Sequence, residues 1–166
     1  MKKKIYTVVS LVMLVILYAA MFGFSAQTGE ESGGLSHLVS KRLVELADFF
    51  STKDWTEPEI YSRADMIELF VRKTAHFSEY ALLGYLEYGL AVLWFKPGGK
   101  RIFLPAVVVL LSGALDEFHQ LFVPGRYASF WDILIDTAGG LTGMLLFWII
   151  YQIALRRKKV SGESGG

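Results

Sequence analysis

Residues 71–84 read VRKTAHFSEYALLG, and residues 116–126 read DEFHQLFVPGR. On a helix, Arg72, His76 and Glu79 stand at i, i+4 and i+7, with Tyr80 four beyond His76, so they share one face next to Lys73. Asp116, His119 and Gln120 share another face, extended one turn deeper by Ser112, while Glu117 points about 100° away. Asp132 and Asp136 repeat the four-residue spacing further on. These residue types admit three chemistries. A divalent metal could be held by His76, His119, Glu79 and Asp116. His76 or His119 could act as a general base oriented by a carboxylate, which makes His76, Glu79, Asp116, Glu117, His119, Asp132 and Asp136 the catalytic candidates. Arg72, Lys73, Gln120 and Arg126 could bind a phosphate or carboxylate headgroup while the acids and imidazoles move protons.

Spacing alone argues weakly for metal, because no HExxH or comparable ligand box is present. The competing reading is an interhelical ion-pair network that sets bundle register without chemistry. Ser129 or Asp132 could cap a helix N-terminus, which explains Asp132 more easily than Asp136. Glu87, eleven residues past His76, lies on nearly the same face and roughly 16 Å deeper, where a carboxyl must face other helices. His37 stands alone and is assigned no role.

The elements that carry these groups are long and apolar. Hydrophobic residues make up 53% of the chain and charged ones only 20%, and the apolar residues concentrate in Ile5–Phe24, Thr74–Phe95, Ile102–Val123 and Ile133–Leu155. Each run is about 20–23 residues, or roughly 30–35 Å of helix, which is the width of a bilayer's hydrocarbon core. The fold class expected is therefore all-α: a polytopic integral membrane protein with a four-transmembrane-helix bundle. Ile5–Phe24 is read as a retained first span rather than a cleaved signal, its apolar core being longer than a usual h-region.

Lys2–Lys4, Lys96, Lys100, Arg101 and Arg156–Lys159 lie at one set of span ends, with Glu163 the only acid among them. The positive-inside bias places both termini in the cytoplasm, and segments 25–73 and 124–130 outside. The two polar mouths then face outward together. Within 25–73, Leu35, Leu38, Val39, Leu43, Leu46, Phe49 and Phe50 recur at helical spacing, so an extracellular amphipathic segment between helices 1 and 2 is expected. Trp55 and Tyr61 have the character of interface anchors, Pro58 and Ser62 break the pattern, and Asp65–Val71 leads into the second span. The segment is either a surface tether or a lid over the outer mouth. Residues 1–155 form the membrane domain, and 156–166 are read as a basic, flexible cytoplasmic tail. The absence of cysteine excludes disulfides and thiolate metal sites. No nucleic-acid motif, glycine-rich phosphate loop or organic-cofactor motif is present.

The spaced pattern Lys73-x-x-His76-Phe77-x-Glu79-Tyr80-Ala81-x-Leu83-Gly84, with Asp116-Glu117-Phe118-His119-Gln120-x-Phe122-Val123-Pro124-Gly125-Arg126, resembles the signatures of VanZ-like membrane proteins. Asp132-x-x-x-Asp136-Thr137-x-Gly139-Gly140-x-x-Gly143 resembles a third signature, in which many members have Asn where Asp136 stands. Phe24-Ser25-Ala26-Gln27 is similar to the pattern after span one, and the resemblance covers residues 5–155. It implies a four-span protein of the bacterial cell envelope, located in the cytoplasmic membrane. One family member's link to teicoplanin resistance points to the cell wall or its glycopeptide ligands. By position the resemblance carries over His76, Glu79, Asp116, Glu117, His119, Gln120, Arg126, Asp132 and Asp136. It supplies no reaction. The functional expectation is an envelope factor that binds, and in the enzymatic version processes, an anionic lipid, lipid-linked phosphate or glycopeptide-related ligand among membrane lipids. The alternatives are a non-catalytic scaffold and a small proton-coupled transporter built around Glu87.

Overall fold

Five helices account for the chain in the computed structural model, which describes residues 2–51 and 53–163. They are α1 Lys2–Ser25, α2 Gly29–Phe49, α3 Glu57–Trp94, α4 Gly99–Gln120 and α5 Phe130–Glu163. No strand occurs among the described residues. Local sequence explains the helix starts. Before α2, the Thr28 hydroxyl accepts from the Glu31 amide at 3.2 Å while the Glu31 carboxylate accepts from the Thr28 amide at 2.9 Å. This reciprocal capping answers two otherwise free donors. Before α3, the Thr56 amide donates to Glu59 at 2.8 Å, and Pro58 occupies the first turn.

Pro58 therefore opens a helix, as its fixed φ and missing N–H allow in a first turn. Neither it nor Ser62 interrupts one. The external lead-in and the expected second span merge into one 38-residue helix, about 57 Å long. α2 folds back along the first half of α3. Ser36 meets Glu68, His37 meets Asp65, and Lys41 meets Tyr61, so the two run antiparallel. Val44, Ile60 and Ala64 form a small buried core between them. The expected amphipathic helix is thus present as one arm of a hairpin whose base sits on the bundle. There the Gly29 amide donates to the Pro124 carbonyl at 3.0 Å.

α3 is the central helix and packs against all four others. The main core joins Leu14, Leu17 and Met21 of α1 to Tyr80, Leu83 and Leu86 of α3 and Val109 of α4. Outward faces are apolar: Val15, Ile16, Leu111, Leu115, Leu145 and Ile150 are all exposed. Such a surface is at home in lipid, where the helices satisfy their own backbone groups.

Three segments are long and apolar enough to cross a membrane: Lys3–Ser25, Gly99–Gln120 and Phe130–Arg157. The expected span 74–95 is not among them. His76, Glu79, Glu87 and several tyrosines lower its hydropathy. At the other end, α5 stays helical to Glu163, past the expected limit of 155. Arg156–Lys159 are good helix formers and extend the helix once it has started. Residues 164–166, the end of the expected flexible tail, lie outside the described residues.

Candidate functional site

Close backbone approach between α3 and α5 builds the site. Gly139 abuts the Phe77 carbonyl, Gly143 the Ala81 carbonyl, and Gly84 meets Gly140 backbone to backbone. A side chain at any of these positions would hold the helices apart. One turn before Gly139 and Gly140, α5 presents Asp136 to His76 of α3. From α4, Gly113 lies against Asp136: a Cβ there would make van der Waals contact, 3.4 Å from the Asp136 Cβ.

Asp136 is completely buried, and neither carboxylate oxygen has a hydrogen-bond partner. His76 Nδ1 lies 3.9 Å from Asp136 Oδ1 and is likewise buried and unpartnered. Asp116 completes a trio in which one ligand atom from each residue lies within 4.8 Å of the others. Gln120, itself buried, orients Asp116 by donating to Oδ2 at 3.1 Å. Of the four metal candidates read from sequence, the trio contains His76 and Asp116. It takes Asp136 in place of His119 and Glu79. His119 turns toward α1, where Nδ1 is 3.4 Å from the Ser25 hydroxyl and the ring packs 4.9 Å from Phe22.

Other predicted site residues are answered by the protein itself. Lys73 pairs with Asp132 and ties α3 to α5. Glu117 is buried and accepts from the Ser129 amide at 2.6 Å, so a neighbouring helix caps the start of α5, leaving its other oxygen unpartnered. Arg72 is held by Glu68 at 2.6 Å and the Ser36 hydroxyl at 3.3 Å. Arg126 donates to the Phe24 and Gln27 carbonyls, each at 3.2 Å, and so closes the C-terminal end of α1. Burial lowers the Arg126 pKa and Arg72 pushes the same way, while Asp116, Glu117 and Asp132 oppose them. A guanidinium nonetheless stays charged.

Two clefts flank the trio. The first, about 190 Å³, is lined by the polar Arg72, Arg126, His76 and Glu79 and by the apolar Leu35, Val39, Phe24 and Val71. The second, about 240 Å³, is bounded by Tyr18, Phe22, Tyr80, Ser112, Asp116 and His119. α2 is thus a wall of the first cleft, contributing Ser32, Leu35, Ser36 and Val39. Glu87 lies elsewhere, in a separate apolar depression with Trp94, Leu104 and Pro105.

Sequence reasoning missed a second cluster, in which His37 lies 3.1 Å from Asp65 and 3.9 Å from Glu68. The i, i+3 acids were visible, but pairing them with His37 required the α2–α3 hairpin. Gly113 was also missed; its place three residues before Asp116 in an apolar helix was the available signal.

Long apolar helices around a buried polar centre define a multi-pass helical membrane protein. The VanZ/LLP1 family model matches residues 10–151, and the chain belongs to that family. No curated protein and no solved structure gives a significant match.

Proposed function

We propose that this chain is a bacterial cell-envelope protein that binds an anionic amphiphile, lipid-like or cell-wall-related, at an outward-facing cleft. Residues 74–95 of α3 serve as the fourth span. Support comes from their packing against α1, α4 and α5, which buries the polar tyrosines Tyr80 and Tyr88 inside the bundle rather than in lipid. The basic residues at the opposite helix ends support an orientation with both termini in the cytoplasm and the cleft outside.

The observation that carries the reading is the mixed lining of the cleft. Two guanidinium groups line it with His76 and Glu79, and apolar residues of α1, α2 and α3 line it as well. Guanidinium groups suit phosphate or carboxylate, and the apolar residues suit a chain attached to it. An effect on teicoplanin susceptibility rests on the family resemblance and would follow downstream of binding.

The test is mass spectrometry of lipids that co-purify with detergent-solubilised wild type, Arg126→Ala and Arg126→Lys. A bound anionic species should drop in Arg126→Ala, and Arg126→Lys should keep part of it through charge. Equal occupancy in a monodisperse Arg126→Ala would remove the guanidinium from the reading. The scaffold reading has one observation in its favour: Lys73–Asp132 and Glu117–Ser129 each join neighbouring elements and so fix helix register. It leaves His76 and Asp136 unexplained.

A further inference from the structure

We infer that His76, Asp116 and Asp136 form a binding site for a divalent first-row cation in the outer half of the bundle. A buried polar group without a partner costs free energy, and a buried carboxylate costs more than a neutral group. Asp136 is wholly buried, and both its oxygens lack a partner. The nearest donor-capable group, His76 Nδ1, is also unpartnered and stands at 3.9 Å, beyond hydrogen-bond range. These three unanswered atoms face one another across a glycine-made gap between α3, α4 and α5.

The separations fit an ion better than a direct bond. Two ligand bonds of about 2.1 Å reach at most roughly 4.2 Å, and the His76–Asp136 distance lies inside that reach. The widest ligand pair, up to 4.8 Å, must close by about 1.4 Å to reach a tetrahedral edge of roughly 3.4 Å. Charge points the same way. Lys73 pairs with Asp132 and Arg72 with Glu68, and Arg126 hydrogen-bonds carbonyls, so among the described residues no Lys or Arg forms an ion pair with Asp116 or Asp136. A divalent ion would balance these two carboxylates.

The donor set is one nitrogen and two carboxylates, with no thiolate, which suits Zn²⁺ or Mn²⁺. Gln120 holds Asp116 in place, the outer-shell support that metal ligands ordinarily have. Three protein ligands leave a coordination position open, and the two clefts reach His76 and Asp116 from either side. The His37–Asp65–Glu68 cluster lacks this signature. Its acids are exposed or already bonded to Ser36 and Arg72.

The inference stands apart from the headgroup reading, because its probe is the metal alone. Full-length protein in detergent, stripped with chelator, is titrated with Zn²⁺ and separately with Mn²⁺. Bound metal is counted after desalting, and thermal unfolding is followed in parallel. One ion per chain and a raised Tm are expected for wild type with at least one of the two. Asp136→Asn should weaken binding at least about 100-fold, beyond the 10–100-fold that a supporting residue costs. His76→Gln is the second variant, with the same expectation, should Asp136→Asn fail to purify. His119→Ala should bind like wild type. Wild type that takes up neither ion, or unchanged binding by the folded Asp136→Asn or His76→Gln chain, overturns the site.

Discussion

Changing Gly84 to alanine adds one methyl, and the structure says where that methyl goes. It meets the Gly140 carbonyl, the backbone of a facing helix that has no rotamer to yield. The α3–α5 interface must open, and overpacking of this kind costs about 1–3 kcal/mol. For a chain of this length that is a Tm fall of roughly 2–12 °C. Gly34 provides the control. It too is helical, but a Cβ there meets nothing within 4 Å. At that position alanine should stabilise the protein by about 0.5–1 kcal/mol, since glycine is the poorer helix former. The same chemical change thus has opposite signs at two sites. Thermal unfolding in detergent, by intrinsic fluorescence of the tryptophans, measures both. A Gly84→Ala protein as stable as wild type would refute the close approach of α3 and α5, and with it the geometry that sets Asp136 against His76. A parallel loss in Gly34→Ala would show that glycine is needed for some reason other than space.

Glu31 has its pKa lowered by the Thr28 amide and hydroxyl, so its capping contribution is present above the ordinary carboxyl pKa and is lost as pH falls through the folded value. The amide protection factor at the start of α2, corrected for the intrinsic pH dependence of exchange, should therefore fall on acidification in wild type. Glu31→Gln, which can still cap, should show no such step, and equal pH profiles would count against the box. Lys73→Ala and Asp132→Asn should each cost about 1–3 kcal/mol, and the double variant should cost clearly less than their sum, as for a charged hydrogen-bonded pair. Additive losses would show the pair to be idle. Because the chain has no cysteine, Tyr127→Cys and Lys100→Cys give clean single labels at exposed positions. A membrane-impermeant maleimide on intact cells should label the first and spare the second, and the reverse pattern would invert the topology.

The long apolar runs were legible because lipid demands length and hydropathy that few soluble helices have. The convergence of three polar faces was legible from helical periodicity. Which members of a face meet was not. Glu79 follows His76 by three residues, and His119 follows Asp116 by three, so each pair differs by about 60° around its helix. That offset turns His119 toward Ser25 and Phe22 of α1 and leaves it outside the His76–Asp116–Asp136 trio. Pro58 misled for a related reason. A proline within an apparent pattern reads as a break, yet at a first turn the same residue is a start. The hairpin partners of His37 depend on the length of the turn between α2 and α3, which no local spacing encodes.

Satisfaction, more than charge, separates structure from site in this molecule. Polar groups at one depth of the bundle fall into two sets. Lys73, Asp132, Arg72, Arg126 and Gln120 have partners: Lys73–Asp132 and Arg72–Ser36 join helices, Arg126 closes the end of α1, and Gln120–Asp116 braces one turn of α4. A register device should look like this, because an ion pair left open inside a bundle costs more than it secures. His76 Nδ1 and both Asp136 oxygens have no partners, although they are buried. Replacing Asp136 with an apolar residue would remove that cost, as would moving His76 by one ångström to bond it. The fold does neither, and the glycines of α5 bring that helix against the backbone of α3 next to the carboxylate. Stability forgone at one position, within reach of two clefts, is what a binding centre requires and a scaffold does not.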